Sequence, residues 1–431
     1  MPPRTASTRA AIGSAAVAVV LVATSMIVPR VLDEDVRVNF PPLHADWDPR
    51  FTWQVPVVAL IGVVLVLVVP RLAARLSWPQ ALVLAFSATW TWIMAVAFTE
   101  GPEGLSRVFD RKGEYVYDAQ RVGDVGQMMR EFISRIPAFQ DDSWHTHVAG
   151  HPPGALLYFV GLDRIGVTSS FWIGVVTVTV GATAVVAVLL TVRELADESA
   201  ARRCIPWLVL APTAVYMGVN GDAMFTAVAA WGLYLLARAA KRSSIPSALG
   251  AGLVLGLCIF LSYGLVLLGI LAVAVLLIAR TWKPLPWAVG GALVVVAVFA
   301  VAGFAWWEAY PVLHERYYAG IASERAYSYW VWADIAAWTF TIGLAVWAAF
   351  PTAWTRVRTD PVVQLAAAAV LTVVVASVSG MSKAEVERIF MPFTIWVVAL
   401  PMLLPERWHR GLLLSQVVLT LLLSQLLLTR W

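Results

Sequence analysis

Apolar residues in this chain fall into long runs, at about residues 11–28, 55–69, 80–98, 170–192, 205–219, 223–237, 248–261, 265–278, 287–304, 335–350, 362–378, 390–404 and 412–428. The runs are apolar all round and do not alternate, which is the pattern of helices in apolar surroundings rather than of half-buried strands. An α-helix crosses a bilayer with about 20 such residues. Helices and closed barrels are the only backbones that satisfy their own polar groups in lipid, and a barrel strand would alternate apolar and polar positions. The pattern therefore predicts an all-α polytopic membrane protein with about 11–13 transmembrane helices, some of them tilted or broken. No linker of biased composition divides residues 1–431, so a single transmembrane domain is expected.

Composition agrees. Hydrophobic residues make up 60% of the 431 positions and charged residues 13%, against roughly a quarter charged in a soluble domain. A water-soluble fold is excluded. The formal net charge of +4 comes from basic residues spread through short loops, not gathered into a patch, so no nucleic-acid partner is expected. Instead the charges report topology. Arg4 and Arg9, Arg71 and Arg75, Arg193, Arg202 and Arg203, Arg238, Lys241 and Arg242, Arg280 and Lys283, Arg356 and Arg358, and Arg407 and Arg410 occupy alternate connections. Lys and Arg in short loops mark the cytoplasmic side, which predicts a multi-pass plasma-membrane protein with its N-terminus in the cytoplasm and its first run kept as a signal anchor. The opposite, external set holds the long polar segments 33–53, 100–169, 307–334 and 379–388. Cys204 and Cys258 both sit beside or within apolar runs, so neither a disulfide framework nor a cysteine metal site is expected.

Candidate chemistry concentrates in those external segments. Between residues 114 and 136, Val122, Val125, Met129, Phe132, Ile133 and Ile136 recur at helical spacing with charge between them. This predicts an amphipathic juxtamembrane helix lying on the membrane surface. Asp110, Glu114 and Asp118, four residues apart, would share a face at its start. Three carboxylates on one face repel one another unless a proton or cation makes use of them; the bland alternative is a solvated face favoured by the helix N-terminus. His145, His147 and His151 are spaced for imidazole ligands, but no fourth ligand follows at fixed spacing, so no dedicated metal site is expected and a divalent cation stays optional. His151-Pro152-Pro153-Gly154 directly precedes an apolar stretch, and proline begins helices more readily than it continues them; the motif should end the loop and open a membrane-entering helix, with His151 at its mouth.

Four further positions are substrate-binding candidates: Tyr117 in the first loop, Asp222 in Asn220-Gly221-Asp222, Tyr263 in Ser262-Tyr263-Gly264, and Arg325 among the acids and tyrosines of residues 307–334. Helix capping competes for Asp222, interface anchoring for Tyr263 and a self-paired salt-bridge loop for Arg325. Lys383, Glu385 and Arg388 form a dense charge cluster just before residues 389–393 enter the apolar phase. Charge so near a membrane core is costly and by default functional. Guanidinium forks suit phosphate oxygens, which makes Arg388 the first candidate for an anionic lipid phosphate.

Together, the acids and tyrosines of the first large loop, His-Pro-Pro before a helix, the Pro212…Tyr216…Asp222 boundary and the Glu385…Arg388 cluster resemble the GT-C membrane glycosyltransferases. The chain is most similar to the bacterial polyprenyl-phosphate-sugar-dependent enzymes and the protein mannosyltransferase relatives, over residues 107–405. The resemblance implies a glycosyltransferase that moves a sugar, mannose or a related hexose or pentose, from a polyprenyl-phosphate donor to a glycan, lipid or protein acceptor outside the membrane, with inversion. It implies Glu114 as the base, with Asp110 and Asp118 as alternates, and His151 and Arg388 as substrate-binding residues. Two features depart from the family pattern: Gly113 precedes Glu114 where an adjacent acid is usual, and two more spans precede the acidic loop. Asp33-Glu34-Asp35 therefore competes as the site of the base. A transporter or flippase of a lipid-linked substrate is the alternative from another class, and an inactive scaffold a third.

Overall fold

The computed structural model describes residues 7–429 except Val219; Arg4, counted above among the topology charges, and the last residue of the 205–219 run lie outside them. Seven helices among the described residues are long and apolar enough to cross a membrane: Thr8–Val31, Val55–Arg75, Trp78–Glu100, Ser170–Leu195, Asp222–Arg242, Tyr327–Arg356 and Pro361–Ser379. Leu285–Val301 and Trp306–Ala319, bent by 73°, make an eighth if they are counted as one span, and Ile245–Leu261 and Tyr263–Ala279 are apolar but shorter. Side chains such as Val20 (63% exposed), Leu60 (63%) and Val298 (60%) face outward from these helices, a surface suited to lipid and not to water.

The fold is helical, as the pattern predicts, but it holds fewer full-length spans than the apolar runs suggested. Proline is the reason in two places. The run at 205–219 breaks into Glu198–Val209 and Ala214–Met217 around Pro212, and the run at 390–404 yields only Met391–Thr394 and a 3-10 turn at Leu400–Leu403, with Pro392 and Pro401 inside it. Proline removes a backbone donor, and irregular backbone at membrane depth persists only where protein covers it. Val397 and Leu400 are accordingly almost wholly buried. The last apolar run forms Glu406–Leu426, after which Leu427–Thr429 leaves the helix and pairs antiparallel with Ala45–Trp47.

Polar contacts sort the loops into two groups. Arg37 pairs with Glu324 at 2.8 Å, Arg50 with Glu100 at 2.5 Å and His44 with Glu385 at 3.1 Å. At the other group, Arg202 donates to the carbonyls of Ala73 and Leu76, Arg242 pairs with Glu194, and the guanidiniums of Arg193 and Arg202 lie over Trp78. The helix from Trp78 to Glu100 runs from the second group to the first. The loops that charge assigns to one face thus gather at one end of the bundle, and the basic connections at the other.

Small residues let the helices approach closely, as is usual between membrane helices. In the helix Tyr327–Arg356, Gly343 has φ +74°, and a Cβ there would meet Gln416 Oε1 at 2.0 Å, the side chain whose amide donates to the Ile342 carbonyl. The backbone conformation disfavours any Cβ, and the Gln416 amide would have to give up its place to admit one. Gly343→Ala should cost about 2 kcal/mol or more, read as a lower unfolding temperature in detergent; unchanged melting would contradict this packing.

The surface helix expected over residues 114–136 is not continuous. Tyr115–Ala119 and Val125–Glu131 are separate short helices, the second capped by Asp124, whose carboxylate accepts from the Gln127 amide. The turn at Gly123 and the Asp124 cap end what apolar spacing alone would continue. At the other end the helix begins only at Tyr115, with Glu114 as its N-cap and Asp110 in the turns before it, so Asp110, Glu114 and Asp118 do not share a helix face, which corrects that expectation. Proline at 152 and 153 does open a helix, Pro153–Arg164. Its 12 residues reach only about 18 Å, too short to cross.

Candidate active site

Glu114 occupies the N-cap position of Tyr115–Ala119. That short helix is fixed by Tyr115, whose ring stacks on Phe159 at 4.9 Å and meets His147 and His151 edge-on. Glu114 is 2% exposed. Its Oε1 lies 3.3 Å from His147 Nε2, and its Oε2 has no hydrogen-bond partner. His147 is tied to the same loop, its backbone N–H donating to the Gly113 carbonyl, and the carbonyl of His147 lies 2.8 Å from His151 Nδ1.

Across from these loops sits Arg388, in the short helix Val386–Ile389. Its Nη1 is 2.7 Å from Asp222 Oδ2 and its Nη2 is 2.8 Å from Glu385 Oε2. Asp222 stands in the first turn of Asp222–Arg242, and its backbone N–H donates to Asn220 Oδ1. Glu385 Oε1 faces His44 at 3.1 Å, and Arg325, 3.9 Å from the same oxygen, donates to the Lys383 carbonyl.

Burial pushes the Glu114 carboxyl up to about 7; Arg388 pulls against this, and Asp222 and Glu385 reinforce it. Burial holds His147 down to about 3, with Arg388 adding to the effect, and lowers His151 as well. Burial would raise Glu385, but the hydrogen bond from His44 and the Arg388 charge outweigh it and hold that carboxyl below the usual range. Burial works against the Arg388 cation too, yet Asp222, Glu385 and Glu114 more than offset it, so it stays protonated. Glu387, next in sequence, is buried with both carboxyl oxygens unpartnered, and burial pushes it up to about 8. The arrangement combines a carboxyl that changes charge near neutral pH, two neutral imidazoles and a fixed guanidinium. Perturbed groups of this kind mark functional sites.

Of the candidate residues, the structure brings Glu114, His151, Asp222, Glu385 and Arg388 together, with Arg325 and Lys383 behind the last two. Four have other surroundings. Asp110 is exposed. Asp118 is buried but holds His145 through its ring and its backbone N–H. The Arg121 guanidinium covers the Tyr117 ring at 3.3 Å. Tyr263 lies against Trp306 and Tyr310, its hydroxyl buried without a partner. Lys383 directs its ammonium to the Ala322 carbonyl at 3.0 Å. In the competing early loop, Asp33 and Asp35 are exposed, with Asp35 paired to Arg37. His44 and His147 were missed as site residues. His147 lay in a loop of three histidines with nothing to single it out, and His44 carries no signal of its own.

Among the described residues no group of three or more His, Cys, Asp or Glu side chains is arranged to hold a metal ion. Two hollows lie away from Glu114 and Arg388. One is lined by Thr89, Ile93, Val185, Leu208 and Ile395, the other by Thr99, Glu100, Arg107, Ser424 and Thr429.

Fold and site define a polytopic helical membrane protein with a buried carboxyl, imidazole and guanidinium centre at one end of its bundle. Residues 150–307 match the model of the dolichyl-phosphate-mannose-protein mannosyltransferase family, in agreement with the resemblance drawn from the sequence. The matched stretch begins at the His-Pro-Pro motif and takes in Asp222; Glu114 and Arg388 lie outside it. No curated protein matches the chain. The crystal structure of ArnT from Cupriavidus metallidurans in the apo state is similar over 76% of this chain and 60% of its own, at 16% identity and a TM-score of 0.49. This chain thus spans less than two thirds of that structure.

Proposed function

We propose that this protein is a GT-C-type glycosyltransferase that moves a sugar from a polyprenyl-phosphate donor to a hydroxyl of a glycan, lipid or protein acceptor at the external face of the membrane. The observation that carries the reading is the buried Glu114 carboxyl, with one unpartnered oxygen, in the electrostatic field of a buried Arg388. Glu114 takes the proton of the acceptor hydroxyl, and the acceptor oxygen forms a bond to the anomeric carbon. The bond from that carbon to the phosphate oxygen breaks, and its electron pair leaves on the polyprenyl phosphate. Single displacement inverts the anomeric centre. Arg388 supplies positive charge where the leaving phosphate gains negative charge, the kind of electrostatic stabilisation that lowers such barriers most. Neutral His147 lies against Glu114, its Nε2 3.3 Å from Oε1. The external side is supported by the short connections, whose Lys and Arg lie at the opposite end of the bundle from the loops that build the centre.

The three candidate carboxylates of residues 100–169 test the assignment. In transfer assays on membranes, Asp110→Asn should retain activity within about twofold, since a lone exposed acid contributes little. Asp118→Asn should act through loop stability, and Glu114→Gln should lower transfer about a thousandfold. Full activity in all three variants would overturn the reading.

A further inference from the structure

Arg388 is aimed by a stretch of backbone that is itself held in an unusual shape. Ala384 and Glu385, neither of them glycine, have φ of +68° and +63°, a left-handed conformation that a Cβ disfavours. Two such residues in succession persist only when the surroundings over-determine them. The surroundings here are polar groups from the neighbouring helices and their connection. The carboxylate of Asp334 accepts the Ala384 backbone N–H at 3.2 Å, Arg325 donates to the Lys383 carbonyl at 2.8 Å, and the Lys383 N–H donates to the Tyr317 hydroxyl at 3.1 Å. Asp334 is 1% exposed and belongs to the membrane-crossing helix Tyr327–Arg356. A carboxylate there is costly unless it has a task, and the sequence reading did not single it out.

We infer that Asp334 is a positioning residue: by holding the Ala384 amide it fixes the left-handed turn that places Glu385 between His44 and Arg388, and so sets the direction in which the Arg388 guanidinium faces a phosphate. The inference rests on the donor reading above for the identity of the phosphate, but not for the clamp itself. Glu385 is the link, because its two oxygens contact His44 on one side and Arg388 on the other. Were the turn to relax, both contacts would shift together and the guanidinium would lose one of its two orienting carboxylates.

Two readouts on the purified full-length protein in nanodiscs separate the parts. Hydrogen exchange of the segment 383–388 should be at least about tenfold faster in Asp334→Leu than in wild type, and close to wild type in Asp334→Asn, whose side-chain oxygen still accepts. Binding of undecaprenyl phosphate should weaken by about tenfold in Asp334→Leu and stay within about threefold in Asp334→Asn, with both variants still melting cooperatively. Unchanged exchange in Asp334→Leu, or equal damage in the Asn and Leu variants, overturns the clamp. Faster exchange with unchanged phosphate affinity overturns the positioning role. If wild type binds no polyprenyl phosphate, the donor reading fails and exchange alone decides the clamp.

Discussion

Replacing Glu114 with glutamine is expected to lower sugar transfer about a thousandfold, within the range that a positioned general base contributes. Glutamine keeps the size of the side chain and can occupy the same place beside His147, so the loop should fold. What it loses is the ability to take a proton. The same group sets the pH dependence. Because burial pushes Glu114 up to about 7, and only its deprotonated form accepts the hydroxyl proton, kcat/KM should rise roughly tenfold per pH unit below about 7 and level off above it. His147, held down to about 3 by burial, stays neutral through this range and does not produce the limb. Initial rates from about pH 5 to 8.5 on wild type read this directly. A flat profile down to about pH 5 would place the base elsewhere, with the acids of residues 33–35 next in line.

Arg388→Lys should raise the donor KM by about tenfold or more while leaving the protein folded. The guanidinium reaches Asp222 with one nitrogen and Glu385 with another, and its planar fork presents further donors in fixed directions. A lysine ammonium is a single point charge on a flexible stem and cannot span the two carboxylates in the same way. Arg388→Ala should be much worse and in a different manner. It leaves buried acids without their cation, at a cost of about 3–5 kcal/mol, and should show first as a lower unfolding temperature. Donor titration together with melting separates the two effects. A lysine variant with wild-type KM would remove Arg388 from phosphate recognition.

How much was legible beforehand follows from what each signal depends on. Glu114, His151 and Arg388 stood out because charge or imidazole beside apolar runs is expensive, and expense is visible in one dimension. The grouping of loops was legible from alternate basic connections, and the ion pairs Arg37–Glu324 and Arg50–Glu100 join segments that the charge count had put on one face. That some runs would be broken was legible from their length, but which ones was not, because a proline-rich stretch buried by protein is as apolar as one that crosses lipid. Apolar spacing over 114–136 misled for a related reason: it records which side chains are buried, and Met129, Phe132 and Ile136 are buried although the backbone turns at Gly123 between them and Glu114. His44 was beyond reach, since its partner Glu385 is 341 positions away in sequence and only the folded chain brings them together. Asp334 closes the external segment 307–334, and nothing in the sequence separates it from the other acids there; only the fold shows that it belongs to the helix Tyr327–Arg356 and holds the Ala384 amide.

Donor turnover measures the central claim most directly. Purified protein in lipid is incubated with a panel of polyprenyl-phosphate sugars and candidate acceptors, and released polyprenyl phosphate and glycosylated acceptor are followed by mass spectrometry. The account predicts stoichiometric release of polyprenyl phosphate from at least one donor, an inverted linkage in the product, and neither product with Glu114→Gln. Folded wild-type protein that consumes none of the donors, or a Glu114→Gln variant that consumes them at the wild-type rate, would contradict it.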